Sequence, residues 1–310
     1  MGCGARWAFV LSRESVAWVF NLDAEDELLR RAGPHTPTKV MRARVEALLP
    51  QLSALMQPGD EVLWPFSTEA VSKSVHAKTG RAWCPTRWAL EQMGRAGLEV
   101  PNAPEPEILR RVNHRRFTAQ PWELPGAEFV TTFERLVTVL GDAKTLASVS
   151  VERNWLMKRP LGYAGRGRRK IAAGVMREVD RAWVEAALRD GDGLQVEPLV
   201  DRLVDFGLHG ALAADGALTL GHPTVSVIDA SGTWLSSQRA GPTALTDAER
   251  KELESAARAT AQSLTDAGYF GPFGIDAFRW RSPDGSIHFQ PRCELNARYS
   301  MGWAVGMTAI

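Results

Sequence analysis

The chain is short of cysteine, of net charge and of long apolar runs, and each shortage excludes something. Three cysteines in 310 residues (Cys3, Cys84 and Cys293) are odd in number and widely spaced, with no C-x-x-C pair. That pattern speaks against a disulfide framework or a zinc site and fits a reducing cytoplasm. Lys and Arg total 37 against 36 Asp and Glu, a formal net charge of +1. A nucleic-acid partner usually asks for a basic excess, so none is expected. No stretch approaches the ~18–20 apolar residues of a membrane span, and no membrane partner is expected. Gly2 and Cys3 follow the initiator, but Arg6 breaks the myristoylation pattern, and the short apolar run there lacks signal-peptide flanks. Two nucleotide motifs are also missing: G-x-G-x-x-G after the first strand, and the Walker G-x-x-x-x-G-K-[ST].

What is present reads as an α/β protein of one large or two moderate domains. Hydrophobic residues make up 45%, enough for buried cores. In the first third, apolar runs at 6–12 and 61–66 have strand length. The spacing of Val40, Ala43, Val45, Ala47, Leu48, Leu52 and Leu55 predicts a helix over 39–56. A second helix is expected over 85–98, with Pro85 and Thr86 as start signals and Gly97 near its end. Alternating strands and helices imply a parallel, Rossmann-like sheet. The proline-rich 99–108 reads as a linker, followed by a basic helix over 106–117 and an amphipathic helix over 128–141.

Further on, 154–160 reads as a strand, the glycine-rich stretch after it as a loop, 175–193 as a helix and 194–200 as a strand. The last third changes character. Strand-like runs surround "AADG" in 204–221, "DASG" in 224–237 and "SPDG" in 273–297, and three hairpins argue an antiparallel sheet. A helix over 246–268 interrupts them, with Thr246 and Glu249 spaced as a capping box and Gly268 as its stop.

The stretch "LMKRPLGYAGRGRRKIAAG" (156–174) carries six basic residues between Lys158 and Lys170, three glycines and no acid. Basic runs usually lie on a solvated face. Here the run sits between a strand and a helix, unlike the long disordered segments that grip single strands. Glycines let backbone N–H groups approach phosphate oxygens, and a strand lysine can aim a fixed charge at the same phosphates.

A second constellation lies in "FGIDAF" and "RCELNARYSMG". Glu294 and Asn296, two apart on a strand, face the same side, and Asp276 lies on the partner strand. Two carboxylates and an amide oxygen suit a magnesium ion between phosphates. Arg298 can aim at the same phosphates.

The ordered set of strand lysine, glycine loop, V-E-P-L-V strand, Asp and E-x-N-x-R resembles the ATP-grasp superfamily over most of the chain. The resemblance implies a Rossmann-like pre-ATP-grasp domain at 1–112, a lid subdomain at 113–200 and a C-terminal antiparallel subdomain at 201–310. It implies ATP and Mg²⁺, or Mn²⁺, as cofactors. Lys158 would contact the phosphates. Gly162, Gly165 and Gly167 would form the closing loop, with Arg166 and Arg168 nearby. Glu197 and Leu199 would meet the adenine mainly through backbone groups, and Asp201 or Asp205 would hold the ribose. Asp276, Glu294 and Asn296 would bind the metal, and Arg298 would stabilise the transferred phosphoryl group. The family's C-terminal helix reads as short or missing after Met301.

The implied activity is a carboxylate–amine ligase that forms an acyl phosphate from a small-molecule acid. A kinase or a non-catalytic nucleotide binder is the alternative, and a homodimer is compatible with either. Arg239, on a loop after a strand, is a candidate for the substrate carboxylate or acyl phosphate. His209 and His222 have weaker claims, and most of the eleven tryptophans should be core anchors, with Trp64, Trp83 and Trp303 as candidate pocket walls.

Overall fold

A computed structural model describes residues 14–30, 34–64, 76–118, 123–162, 167–189, 193–228 and 234–308. The chain divides into two compact units: Met1–Leu22 with Pro34–Ala103, and Asp23–Gly33 with Pro104–Ile310. The division falls inside the proline-rich 99–108. No described helix is long and apolar enough to cross a membrane.

The first unit is built on a parallel sheet. Strand β1 (Val16–Val19) is buried at all four positions, as a central parallel strand must be. It lies between β2 (Glu61–Val62) and β3 (Thr79–Ala82), parallel to both. The strand expected over 6–12 lies outside the described residues. Of the 61–66 run only Glu61–Val62 is strand, and 65–66 lie outside the description. Helix α2 (Lys39–Leu52) buries Met41, Val45 and Leu52. Helix α3 (Arg87–Arg95) buries Trp88, Ala89 and Met93 and ends at Gly97, whose φ of 73° suits only a residue free of Cβ strain. Trp83 is buried in this unit.

The second unit begins with α1 (Ala24–Leu29), which packs on α4 (Pro106–Asn113). The basic helix expected over 106–117 is broken at His114, where the backbone is extended (φ −75°, ψ 131°). It resumes as the short α5 (Arg115–Thr118), because the Arg115 N–H is drawn to the Pro160 carbonyl at 2.9 Å. The single helix expected over 128–141 is also corrected. Glu128–Val130 is strand β4, and α6 (Phe133–Leu140) starts only after Thr132, whose hydroxyl accepts the Arg135 N–H at 3.2 Å.

After α7 (Ala143–Val149) come β5 (Asn154–Lys158) and β6 (Arg168–Ala172), then α8 (Glu178–Arg189) and β7 (Leu194–Pro198). They form an antiparallel sheet in the order β4-β7-β5-β6. Leu136, Trp155, Met157, Val184 and Val196 fill its core. The glycine stretch is therefore not loop to its end. Arg168–Ala172 is an edge strand whose register places Lys158 opposite Arg168.

The larger antiparallel sheet runs β11 (Trp234–Arg239), β10 (Thr224–Ile228), β8 (Asp201–Leu212), β12 (Gly271–Arg281) and β13 (Ile287–Asn296), with β9 (Leu218–Leu220) also on β8. All three expected hairpins are present as paired strands, although 229–233 lie outside the description. Helix α9 (Asp247–Asp266) buries Leu253, Ala257 and Leu264 and packs on β13 and β8. It carries the expected capping box of Thr246 and Glu249 and stops at Gly268, φ 80°. A five-residue helix, α10 (Trp303–Met307), follows β13.

Candidate active site

Sheet register assembles the acidic centre. On β12 and β13, Asp276 stands opposite Glu294 and Gly274 opposite Asn296. On the other side, β8 sets Gly207 against Asp276 and Asp205 against Phe278. Residues opposite each other, and alternate residues along a strand, share a face, so Asp205, Asp276, Glu294 and Asn296 share one. Between Asp276 and Phe278 the register shifts, with residues 291–293 of β13 bulged against one residue of β12. Pro291 is accommodated there, where a missing N–H costs the ladder little.

Charge at this face is unevenly balanced. Burial, reinforced by Glu294 and Asp205, pushes the Asp276 carboxyl up to about 7. Asn296 Nδ2 donates to Asp276 Oδ2 at 3.1 Å. Glu294 behaves oppositely. Against burial, Arg115, Lys158 and Arg298 hold its carboxyl below the usual range, and Arg115 Nη2 donates to its Oε1 at 3.1 Å. Burial raises Asp205 despite its 2.9 Å ion pair with Arg202. Asp201 instead faces Arg281 at 3.9 Å, half-exposed.

Among the described residues no three His, Cys, Asp or Glu side chains converge as a self-sufficient metal cluster. The donors at the centre are two carboxylates and one amide oxygen. Magnesium keeps several waters and takes phosphate oxygens, needing only one or two carboxylates from protein. The set therefore fits a divalent ion shared with phosphates, and the mutual repulsion of Asp276, Glu294 and Asp205 is the charge such an ion would offset.

The smaller sheet supplies basic groups. Lys158, at the end of β5 and 8% exposed, pairs with Glu197 on β7 at 2.5 Å. Both backbone groups of Leu199 are engaged inside the protein: its N–H donates to Asn154 O at 2.8 Å and its carbonyl accepts Ser150 Oγ at 2.6 Å. Gly162 lines a small cavity with Arg115, Glu294 and Asn296. Gly167 has φ 70° and its carbonyl accepts the Arg159 N–H at 2.7 Å, closing the hairpin. Gly165 and Arg166 lie outside the described residues. The other basic side chains disperse. Arg159 and Arg169 lie over the Trp183 ring, Arg169 faces Asp180 at 3.8 Å, and Lys170 pairs with Glu152.

Arg298 does not stand open to the acidic centre. It is 7% exposed and grips Glu25 Oε1 through Nε at 2.6 Å and Nη2 at 2.5 Å. Arg239 is the last residue of β11 rather than a loop residue, and it donates to the Thr308 carbonyl. His209 is buried on β8, opposite Gly274. A Cβ on Gly274, Gly302 or Gly306 would come within 2.7–2.9 Å of its ring. Burial drops its pKa to about 4. His222 is exposed. Trp64 is half-buried, and Trp303 donates to Gly210 O at 3.1 Å.

Sequence reasoning missed two residues of the centre. Arg115, with 13% of its side chain exposed and held charged by Glu294 and Glu197 against the cost of burial, had looked like one more cation in "RRVNHRRF". A buried position for a basic residue in an amphipathic segment is the signal it offered. Glu25 had none, because "DAEDELL" reads as an ordinary acidic helix start.

No family model and no curated protein matches the sequence. Solved structures do resemble the fold. Rhizobium etli pyruvate carboxylase matches over 94% of this chain with TM-score 0.55 and 17% identity. This chain spans only 25% of that one. D-cycloserine synthetase DcsG matches over 94% of this chain and 96% of its own, with TM-score 0.50 and 15% identity. The biotin carboxylase domain of Hydrogenobacter thermophilus 2-oxoglutarate carboxylase, solved with MgADP and bicarbonate, matches over 93% and 59%, with TM-score 0.50 and 12% identity. At these identities the likeness concerns the fold alone.

Proposed function

We propose that this chain, which has the ATP-grasp fold, is an ATP-dependent ligase. It activates a small-molecule carboxylate as an acyl phosphate and passes the acyl group to an amine, releasing ADP and phosphate. The observation that carries the reading is the meeting of opposite charges at one point. Glu294 faces Asp276 across two strands while Arg115 holds it and Lys158 acts on it electrostatically. Acids that repel each other beside desolvated cations suit a triphosphate with its divalent ion, and phosphoryl transfer is mostly positioning and charge neutralisation.

Asp276, Glu294 and Asn296 would hold Mg²⁺, or Mn²⁺, which when bound supplies charge neutralisation on the phosphates. Lys158 and Arg115 would meet phosphate oxygens directly. Gly162, Gly165 and Gly167 would admit the phosphates close to the backbone, with Arg166 beside them, and the segment would exclude water from the acyl phosphate. Glu197 and Leu199 would border the adenine, where the engaged Leu199 backbone leaves its side chain and a second carbonyl lone pair for contact. Asp205 is the better placed of the two ribose candidates, since it shares the face of Asp276. Arg298, held by Glu25, would act on the phosphoryl group through its charge, and Arg239 would serve the acid. The chain would work in the cytoplasm.

The test is release of ADP and phosphate from ATP and Mg²⁺ with pooled acids and amines, the product identified by mass. Turnover of Glu294→Ala at the wild-type rate would sink the site assignment. A stable phosphorylated product formed without any amine would make the chain a kinase, and nucleotide binding without turnover a regulator.

A further inference from the structure

The cavity beside the acidic centre is lined by polar side chains, among them Glu25, Asn113, Arg115, Glu294 and Asn296. Glu25 is the one whose presence the phosphate site does not explain. It is 4% exposed. Its Oε1 faces Nε and Nη2 of Arg298, while its Oε2 is buried with no hydrogen-bond partner. A carboxylate oxygen withdrawn from water without a donor is costly, which is why burial raises the Glu25 carboxyl against the pull of Arg298, and folded proteins keep few such oxygens. A visitor that brings a donor would remove the cost.

The neighbours decide what the visitor is. An anion is repelled by Glu25 and Glu294. A second hard cation would want several oxygens, yet Asn113 Oδ1 already accepts the Ala297 N–H at 2.9 Å and Glu294 Oε1 is held by Arg115. Arg115 and Arg298 also stand close by, which disfavours a doubly charged ion. What remains is a small hydrogen-bond donor carrying at most one positive charge, and the two carboxylates Glu25 and Glu294 at the cavity favour an ammonium over water or a hydroxyl.

We infer that Glu25 Oε2 seats the nitrogen of a primary amine in the cavity beside Glu294 and Asn296. Arg298 is the strut of this subsite, since its fork fixes the carboxylate and leaves the second oxygen aimed inward. Asn113 is a wall: its amide is spent on Leu109 O at 2.9 Å and on the Ala297 N–H. That the amine is the nucleophile rests on the ligase reading; that an amine binds here does not.

The experiment separates the two. Ligand-observed saturation-transfer NMR is run with MgADP present on wild type, Glu25→Gln and Glu25→Asp. The probes are pools of the proteinogenic amino acids with ethanolamine, putrescine and agmatine, each against its hydroxyl counterpart where one exists. At least one amine should bind wild type better than its hydroxyl counterpart. Its affinity should fall about ten- to a hundredfold in Glu25→Gln and less in Glu25→Asp, which keeps the charge but withdraws the oxygen. Retained MgADP binding shows that each variant is folded. Equal amine binding by wild type and both variants, or binding of no pool member by wild type, overturns the subsite.

Hydroxylamine trapping reads the ligase chemistry independently, because at high concentration it captures an acyl phosphate without a seated amine. Hydroxamate formed by wild type, beside amine binding lost in Glu25→Gln, supports both proposals. Glu25-dependent amine binding without hydroxamate leaves the subsite standing and removes the ligase reading.

Discussion

Asp276 and Glu294 face each other across β12 and β13, yet their carboxyls are displaced in opposite directions, Asp276 up to about 7 and Glu294 downward. Two acids on one register row differ because only Glu294 has a guanidinium bonded to it. Asp276→Asn should therefore relieve repulsion in the nucleotide-free chain while removing a ligand of the proposed metal. The expected result is a higher urea midpoint without nucleotide, a weaker rise on adding MgADP, and turnover lower by ~10²–10³. An unchanged nucleotide-linked shift would remove Asp276 from the metal site.

The Glu25–Arg298 pair calls for a double-mutant cycle. Both side chains are buried, so Arg298→Met strands a carboxylate and should cost about 3–5 kcal/mol. Glu25→Gln together with Arg298→Met should recover much of that loss, because no uncompensated charge remains. Urea unfolding of the four proteins gives the coupling. Additive losses would mean that the two residues do not depend on each other.

His209 sets a pH dependence whose sign follows from burial. An unfolded histidine titrates near ~6.5, whereas this one titrates at about 4. Between those values the unfolded chain binds the extra proton, so stability is full above ~6.5 and falls as pH drops towards 4. The difference corresponds to about 3 kcal/mol. His209→Gln should flatten that part of the urea-midpoint profile between pH 4 and 7, and a profile of unchanged slope would show that other groups dominate acid unfolding.

Local signals were the legible ones. Thr246 and Glu249 announce the α9 cap within four residues, and turn residues announce each hairpin of the larger sheet. Strand β6 was hidden because Arg168 and Lys170 sit on an edge with only Ile171 buried, so no apolar alternation betrays it. The helix expected over 128–141 was overdrawn because Phe129 and Val130 fit a helical stripe as well as a strand. Arg115 and Glu25 acquire their roles from partners 179 and 273 residues away, and no spacing rule spans such distances. The meeting of Asp276 with Glu294 was legible because the hairpin that joins them is local.

Arg115 makes two side-chain bonds that a lysine could not reproduce together, beside a backbone bond that it could. Its Nη2 reaches Glu294 at 3.1 Å and its Nε reaches the Arg159 carbonyl at 3.0 Å, while its backbone N–H reaches Pro160 O at 2.9 Å. The guanidinium thus ties the acidic centre to the root of the glycine hairpin. Arg115→Lys keeps the backbone bond and one charge contact but cannot span Glu294 and Arg159 together, since an ammonium lacks the fork. MgATP affinity should fall about tenfold, and trypsin should cut the basic 159–170 stretch faster without nucleotide. If affinity falls but cleavage does not change, Arg115 acts on the nucleotide alone and the tie to the hairpin contributes nothing measurable.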